Sequence, residues 1–101
     1  MSTTIDIVAI RLDALKATFA HDVYAQNIVK NTVEQFDITE RTVYYAMLFN
    51  DDMCLALDEI RYARQCGLCA ECIEEVMKKC VEDNSLQPIK MMYAERGGGT
   101  E

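Results

Sequence analysis

Apolar residues recur at three- and four-residue steps along most of the chain, and this is the period of an amphipathic helix. The most regular part follows Asn50 and Asp51, whose side-chain oxygens can cap a helix start. Two apolar stripes lie on either side of Gly67: Met53, Ala56, Leu57, Ile60 and Ala63, then Cys69, Ile73, Val76, Met77 and Cys80. Gly67 suits the left-handed conformation that ends a helix. The pattern predicts a hairpin of two antiparallel helices over residues 51–83.

Two further helices are predicted before this hairpin. The first has the stripe Ile5, Val8, Leu12, Leu15 and Phe19, with Ser2, Thr3 and Thr4 as candidate caps. The second follows a break at His21 and Asp22, and its stripe is Ala25, Ile28, Val29, Thr32, Val33 and Phe36. Asp37 with Glu40 has the spacing of a capping box, and Thr39 is an alternative cap for the next helix.

The remaining segments are less regular. Residues 43–49 form an unbroken apolar and aromatic run, which fits either a buried helix or a strand. We predict a helix, because Ala46, Met47 and Leu48 favour helices. After a turn at 84–88, residues 89–96 fit a short helix or an extended arm. We therefore expect an all-α, compact bundle of about five helices, with a single domain at 1–96 and a disordered tail at 97–101.

Two of the predicted helices carry a second apolar stripe. In the first helix it consists of Ile7, Ile10, Ala14 and Ala17, and in the helix after Asp51 it consists of Leu55, Tyr62 and Cys66. A helix that is apolar on two sides is buried on two sides, either inside one compact bundle or against another subunit. We expect self-association, with five interface residues: Ile7, Ile10, Ala14, Leu55 and Tyr62.

Composition and charge narrow the class of protein. The 101 residues are 50% hydrophobic and 27% charged, which is typical of a globular domain. No apolar run approaches the roughly 20 residues that span a bilayer, and Asp6 interrupts what would be the core of a signal peptide. We expect a cytoplasmic protein whose five cysteines are free thiols. We interpret the net charge of −7 mainly as a source of solubility, and a basic partner is the second interpretation.

Residues 29–48 resemble the helix-turn-helix motif of transcription regulators. The matching positions are Phe36, Ile38, Thr39, Thr42, Val43 and Ala46. The chain departs from the motif at Val33, where a small alanine is usual, and at Asp37, where glycine is usual. The resemblance implies that the second helix would present Glu40, Arg41, Tyr44 and Tyr45 to base edges in the major groove.

The cysteines suggest a second kind of site. Cys66, Cys69 and Cys72 are spaced three apart, and with Cys80 they would supply the four thiolates of a zinc or iron–sulfur centre. However, no second cysteine or histidine pair lies at a zinc-finger distance. If the helix starts at Leu68, Cys69 and Cys80 point into the core. Core packing is then the better interpretation for both residues, so no metal or cofactor is expected. A thioredoxin-like dithiol is disfavoured, because no strand–helix–strand pattern surrounds the cysteines.

The chain lacks a nucleotide-binding glycine loop, a nucleophile elbow and a Cys–His pair, so we expect no enzyme. The favoured function is a small acidic regulatory or inhibitor protein that binds a macromolecule, of a kind typical of phage and mobile elements. The residues expected to contact a protein partner are Glu40, Arg41, Tyr44, Tyr45, Glu71, Glu74 and Glu75. The alternatives are a helix-turn-helix DNA-binding regulator, which the acidic charge disfavours, and an oligomer that binds a small ligand between subunits.

Overall fold

The computed structural model describes residues 5–49 and 52–97, and these residues form six α-helices and no strand. The helices are α1 (Ile7–Phe19), α2 (Val23–Phe36), α3 (Glu40–Met47), α4 (Met53–Gln65), α5 (Ala70–Asp83) and α6 (Gln87–Gly97). The predicted all-α bundle is confirmed, and residues 43–47 are helical rather than a strand. Residues 89–96 belong to a sixth helix and not to an arm. None of the described helices is long and apolar enough to cross a bilayer.

The first three helices begin at short polar side chains that cap them. Asp6 accepts a hydrogen bond from the Ala9 amide at 3.0 Å and caps α1, while the predicted caps Ser2, Thr3 and Thr4 lie outside the described residues. Asp22, at the predicted break, caps α2. Thr39, and not Asp37, caps α3. The predicted caps Asn50 and Asp51 and the tail residues 98–101 also lie outside the described residues.

Three helices end in the same way, with a residue in the left-handed region. These residues are Asp37 (φ 57°), Gly67 (φ 101°) and Asn84 (φ 52°). After each one, the next amide donates to a carbonyl five residues earlier, over distances of 3.0 to 3.3 Å. This bond satisfies a carbonyl that the helix itself leaves free. Ile38 and Leu68, which follow two of these residues, are buried, so both turns are fixed to the core.

The centre of the fold is α3. It contacts α1, α2, α4 and α5, and five of its eight residues are buried. The buried Thr42 hydroxyl lies 2.7 Å from the hydroxyl of Thr39, so this polar group has a partner. Burial on every side explains why residues 43–47 show no polar face in the sequence.

The predicted hairpin is formed by α4 and α5, which contact each other. Ala56, Ile60 and Ala63 of α4 are completely buried. In α5 the buried residues are Ile73, Val76, Met77, Cys80 and Val81. The core position predicted for Cys69 is wrong, because α5 begins at Ala70 and Cys69 is its exposed N-cap.

A few polar contacts join the elements. Arg64 donates to the Leu68 carbonyl at 2.7 Å and pairs with the carboxylate of Asp37, so it links the turns before α3 and before α5. Arg11 of α1 donates to the Leu48 carbonyl at 3.1 Å. The bundle measures only 23 Å along its shortest axis, about two helix diameters. Most helices in so thin a bundle keep one side in water.

The buried stripe of α4 gives a test of the packing. We expect Ile60→Ala to lower the free energy of unfolding by about 2–5 kcal/mol, because it leaves a cavity at a position with no exposure. Met91→Ala, at a position that is 59% exposed, is the control and should change stability by less than about 0.5 kcal/mol. Urea unfolding followed by circular dichroism measures both. Equal effects at the two positions would contradict the described core.

Candidate functional site

The outer face of α1 is apolar and uncovered. Ile7 is 61% exposed and Ile10 is 57% exposed, and Ala14 and Ala17 are exposed beside them. On the opposite side of the same helix, Val8 and Leu12 are buried in the core, as the first stripe predicts. One chain therefore covers only one of the two apolar sides of α1. We call Ile7, Ile10, Ala14 and Ala17 the outer stripe.

The charges on α1 differ from those of the whole chain. The helix carries Arg11, Asp13 and Lys16, one cation more than it has anions, whereas the chain has a net charge of −7. Arg11 is fixed by its bond to the Leu48 carbonyl. The Lys16 Nζ lies 5.9 Å from the centre of the Tyr44 ring. The α1 helix therefore lacks the acidic excess of the whole chain, so two copies that meet there bring little net charge together.

A groove lies next to the outer stripe, between the start of α1 and α5. Its volume is about 480 Å³, and Ile7, Arg11, Lys78 and Glu82 are among the residues that line it. The Asp6 carboxylate lies 3.1 Å from the Lys78 Nζ in this groove. The Ala9 amide and Lys78 together lower the pKa of Asp6, and Asp6 raises the pKa of Lys78. This ion pair fixes the start of α1 on α5.

The second stripe of α4 is partly covered by α6. Tyr62 is 51% exposed, and its ring meets the ring of Tyr93 edge-on, with the centroids 4.7 Å apart. The Tyr93 hydroxyl donates to Oε1 of Glu59 at 2.5 Å. This carboxylate raises the pKa of Tyr93 to about 12. Leu55 remains 57% exposed. Of the two predicted interface stripes, only that of α1 therefore lacks a covering helix within the described part of the chain.

The predicted partner-binding residues fall into two groups. Glu40, Arg41, Glu71 and Glu75 are exposed, and Glu74 is half-buried. Tyr44 and Tyr45 are each only 3% exposed, so their side chains belong to the core rather than to the surface. The Tyr44 hydroxyl accepts a hydrogen bond from Gln26 at 3.3 Å. A partner docking on the described surface can use the charged residues of this set but not the two rings.

The helix-turn-helix arrangement is formed by α2, a three-residue turn at 37–39 and α3. Asp37 adopts the left-handed conformation at the position where the motif usually has glycine. However, α3 is enclosed by four helices, and only Glu40 and Arg41 remain exposed of the four residues expected to contact bases.

Comparisons with protein-family models, with curated proteins and with solved structures found no match to this chain.

The cysteines differ in their surroundings, and only two of those considered for a metal centre lie close together within the described residues. Cys69 and Cys72 form a close pair, with their sulfurs 2.9 Å apart. Cys80 is buried, and burial raises its pKa to about 11, while Cys66 is half-buried at the end of α4. No three histidine, cysteine, aspartate or glutamate side chains in the described ranges are grouped to hold a metal. The four thiols considered for a metal centre are therefore not brought together.

The sequence pattern did not predict the pairing of Cys69 with Cys72, because a helix that starts at Leu68 would place Cys69 inside the helix rather than at its cap. The signal was nevertheless present in the sequence. Cys69 precedes Ala70 and Glu71, and an acidic first turn marks a helix start. A cap and the residue three positions later lie side by side, which brings the two sulfurs together.

The Asp6 carboxylate, which accepts the Ala9 amide and pairs with Lys78, should make a pH-dependent contribution to stability. The pKa of Asp6 is lowered in the fold, so its stabilisation is present above its unfolded pKa of about 3.9 and is lost as the pH falls through the folded value. We expect Asp6→Ala to lower the midpoint of urea unfolding at neutral pH, and the difference from wild type to shrink at acid pH. Asp6→Ser keeps a capping oxygen but not the charge, and should lose less. A midpoint unchanged by Asp6→Ala at neutral pH would contradict this role.

Proposed function

We propose that the chain is a small non-enzymatic regulatory or inhibitor protein that acts by binding other protein molecules, and that it self-associates through the outer stripe of α1. The observation that carries this proposal is the exposure of Ile7 and Ile10 on a helix whose other side is buried. A second copy of the chain is the occupant proposed for this face, because the charges of α1 nearly balance in an otherwise acidic molecule.

The spacing of the outer stripe suits helix–helix docking. Its residues follow one another at steps of three, four and three, which is a short heptad seam. The two alanines allow the helix backbones to approach closely, while the two isoleucines supply most of the apolar surface. Burying a half-exposed isoleucine contributes on the order of 1 kcal/mol, so the four isoleucines of a pair contribute roughly 4 kcal/mol before the cost of association. Because about 4 kcal/mol corresponds to a Kd of about 1 mM at best, a weak dimer that forms at high chain concentration is the expected result.

A different surface is proposed for the macromolecular partner. Glu71 and Glu75 of α5 are exposed, and they belong to a chain with an excess of seven negative charges. Such a surface favours a partner protein with a basic patch, because complementary charge accelerates encounter and fixes orientation. DNA reading is not proposed, since Tyr44 and Tyr45 are buried and the acidic charge opposes contact with phosphates.

The self-association proposal is tested by replacing Ile7 and Ile10 together with serine. We expect wild type to show a concentration-dependent increase in mass in sedimentation equilibrium, and the double variant to remain a monomer over the same range. Since both side chains are exposed in one chain, the thermal midpoint of the variant at low concentration should match that of wild type.

Met91→Ser is the matched control, because Met91 is 59% exposed but lies on α6. This variant should associate as wild type does. Wild type that stays monomeric throughout, or a Met91→Ser variant that dissociates as fully as the isoleucine variant, would contradict the role of α1.

The acidic partner surface is tested by a charge reversal, Glu71→Lys with Glu75→Lys. We expect wild type to retain a basic protein at low salt in affinity capture, and the double variant to lose it, because the reversed charges repel the same patch. Glu34→Lys with Glu95→Lys makes the same change in net charge at exposed positions of α2 and α6 and should retain the partner. Equal loss in both variants would show that net charge alone, and not the α5 surface, governs capture.

A further inference from the structure

Cys69 and Cys72 are the closest thiols that the structure describes, and they lie at an accessible helix start. Their sulfurs are 2.9 Å apart. Cys69 is exposed and Cys72 is half-buried. We propose that this pair is a thiol–disulfide redox site, in which Cys69 attacks a low-molecular-weight disulfide and Cys72 then closes an internal bridge. This inference does not depend on the docking role proposed for α1 or on a protein partner.

The position of Cys69 makes it the attacking thiol. It is the N-cap of α5, and its sulfur accepts the backbone N–H of Cys72 at 3.3 Å. The sulfur also shares a hydrogen bond with the Cys72 sulfur, which lies 2.9 Å away. Donors at a positive helix end favour the thiolate, which is the nucleophilic form. The Cys72 thiol and then its amide lower the pKa of Cys69, and the neighbouring carboxylate of Glu71 acts in the opposite direction.

Cys72 has the properties of the second thiol. Its hydrogen bond with Cys69 raises the pKa of Cys72, so Cys72 keeps its proton when the Cys69 thiol ionises. Its side chain is half-buried, so an external disulfide reaches it less easily than it reaches Cys69. The two residues are three apart at the start of a helix, where side chains are neighbours. Closing the bridge shortens the sulfur separation from 2.9 Å to about 2.05 Å.

The reaction is a balanced exchange. Cys69 first loses its proton to water. Its thiolate attacks one sulfur of the external disulfide, the S–S bond breaks, and the departing thiolate takes a proton from water. Cys72 then loses its proton to water and attacks the Cys69 sulfur of the mixed disulfide, which releases a second thiolate that also takes a proton from water. In total, two S–H groups of the protein become one S–S bond, and the external disulfide is reduced to two thiols.

The other cysteines allow an internal comparison. Cys80 is buried and its pKa is raised to about 11 by burial, so it holds little thiolate at neutral pH. Cys54 is exposed on α4. Accessibility alone would make Cys54 and Cys69 equally reactive, whereas the paired geometry makes Cys69 the faster thiol.

The full chain, fully reduced and free of oxygen, is equilibrated with mixtures of oxidised and reduced glutathione. It is then quenched in acid, alkylated and digested with trypsin. Cleavage after Arg64 and Lys78 gives one peptide, 65–78, that contains Cys66, Cys69 and Cys72. We expect this peptide to lose the mass of two hydrogen atoms and to keep one alkylated cysteine, Cys66. In separate alkylation kinetics, Cys69 should react roughly tenfold faster than Cys54.

Variants assign the two roles. Cys72→Ser should accumulate a glutathione adduct on Cys69, because no second thiol can displace it. Cys69→Ser should form neither the bridge nor a rapid adduct, and it should fold, since serine is a good N-cap. Cys54→Ser and Cys66→Ser should form the bridge as wild type does. Bridging of Cys66 with Cys69, adducts on Cys54 as abundant as those on Cys69, or no bridge in oxidised glutathione would each overturn the proposal.

Discussion

The enclosure of α3 by four other helices is the constraint on which the rest of the structure depends. A helix of eight residues is too short to be stable alone, so it forms because Val43 and Ala46 are completely buried by its neighbours. The hydroxyl of Thr42 is satisfied by Thr39 at the start of the same helix. Tyr44 and Tyr45 are therefore buried in the core. The two rings that were expected to contact base edges contribute to packing instead.

Placing α3 at the centre leaves the other helices at the edge of a thin bundle. With a shortest dimension of 23 Å, the fold has room for about two layers of helices. The second stripe of α4 gains α6 as a partner, through the contact of Tyr62 with Tyr93. No described helix plays the same part for Ile7 and Ile10. The same apolar pattern therefore has different outcomes in two helices, and the difference comes from tertiary packing.

The sequence predicted the helical bundle well because caps and periodicity are local. Asp22, Thr39 and Gly67 stand where the pattern placed helix boundaries. The prediction failed where a helix boundary differed by one or two residues. Because α5 starts at Ala70 rather than Leu68, Cys69 is an exposed cap and not a core residue. The burial of Tyr44 and Tyr45 depends on contacts from distant parts of the chain, so a local motif could not reveal it. Which apolar stripe remains exposed also depends on how the helices pack together, so the pattern within a single helix could not predict it.

The central claim is that the outer stripe of α1 meets a second copy of the chain. Nuclear Overhauser measurements on a mixture of unlabelled chains and chains with isotope-labelled isoleucine methyl groups test it most directly, because filtering retains only contacts between copies. The account predicts intermolecular signals from the methyl groups of Ile7 and Ile10, and none from the buried Ile60 and Ile73. A sample that associates without intermolecular signals from Ile7 and Ile10, or that shows no association at any concentration, would contradict it.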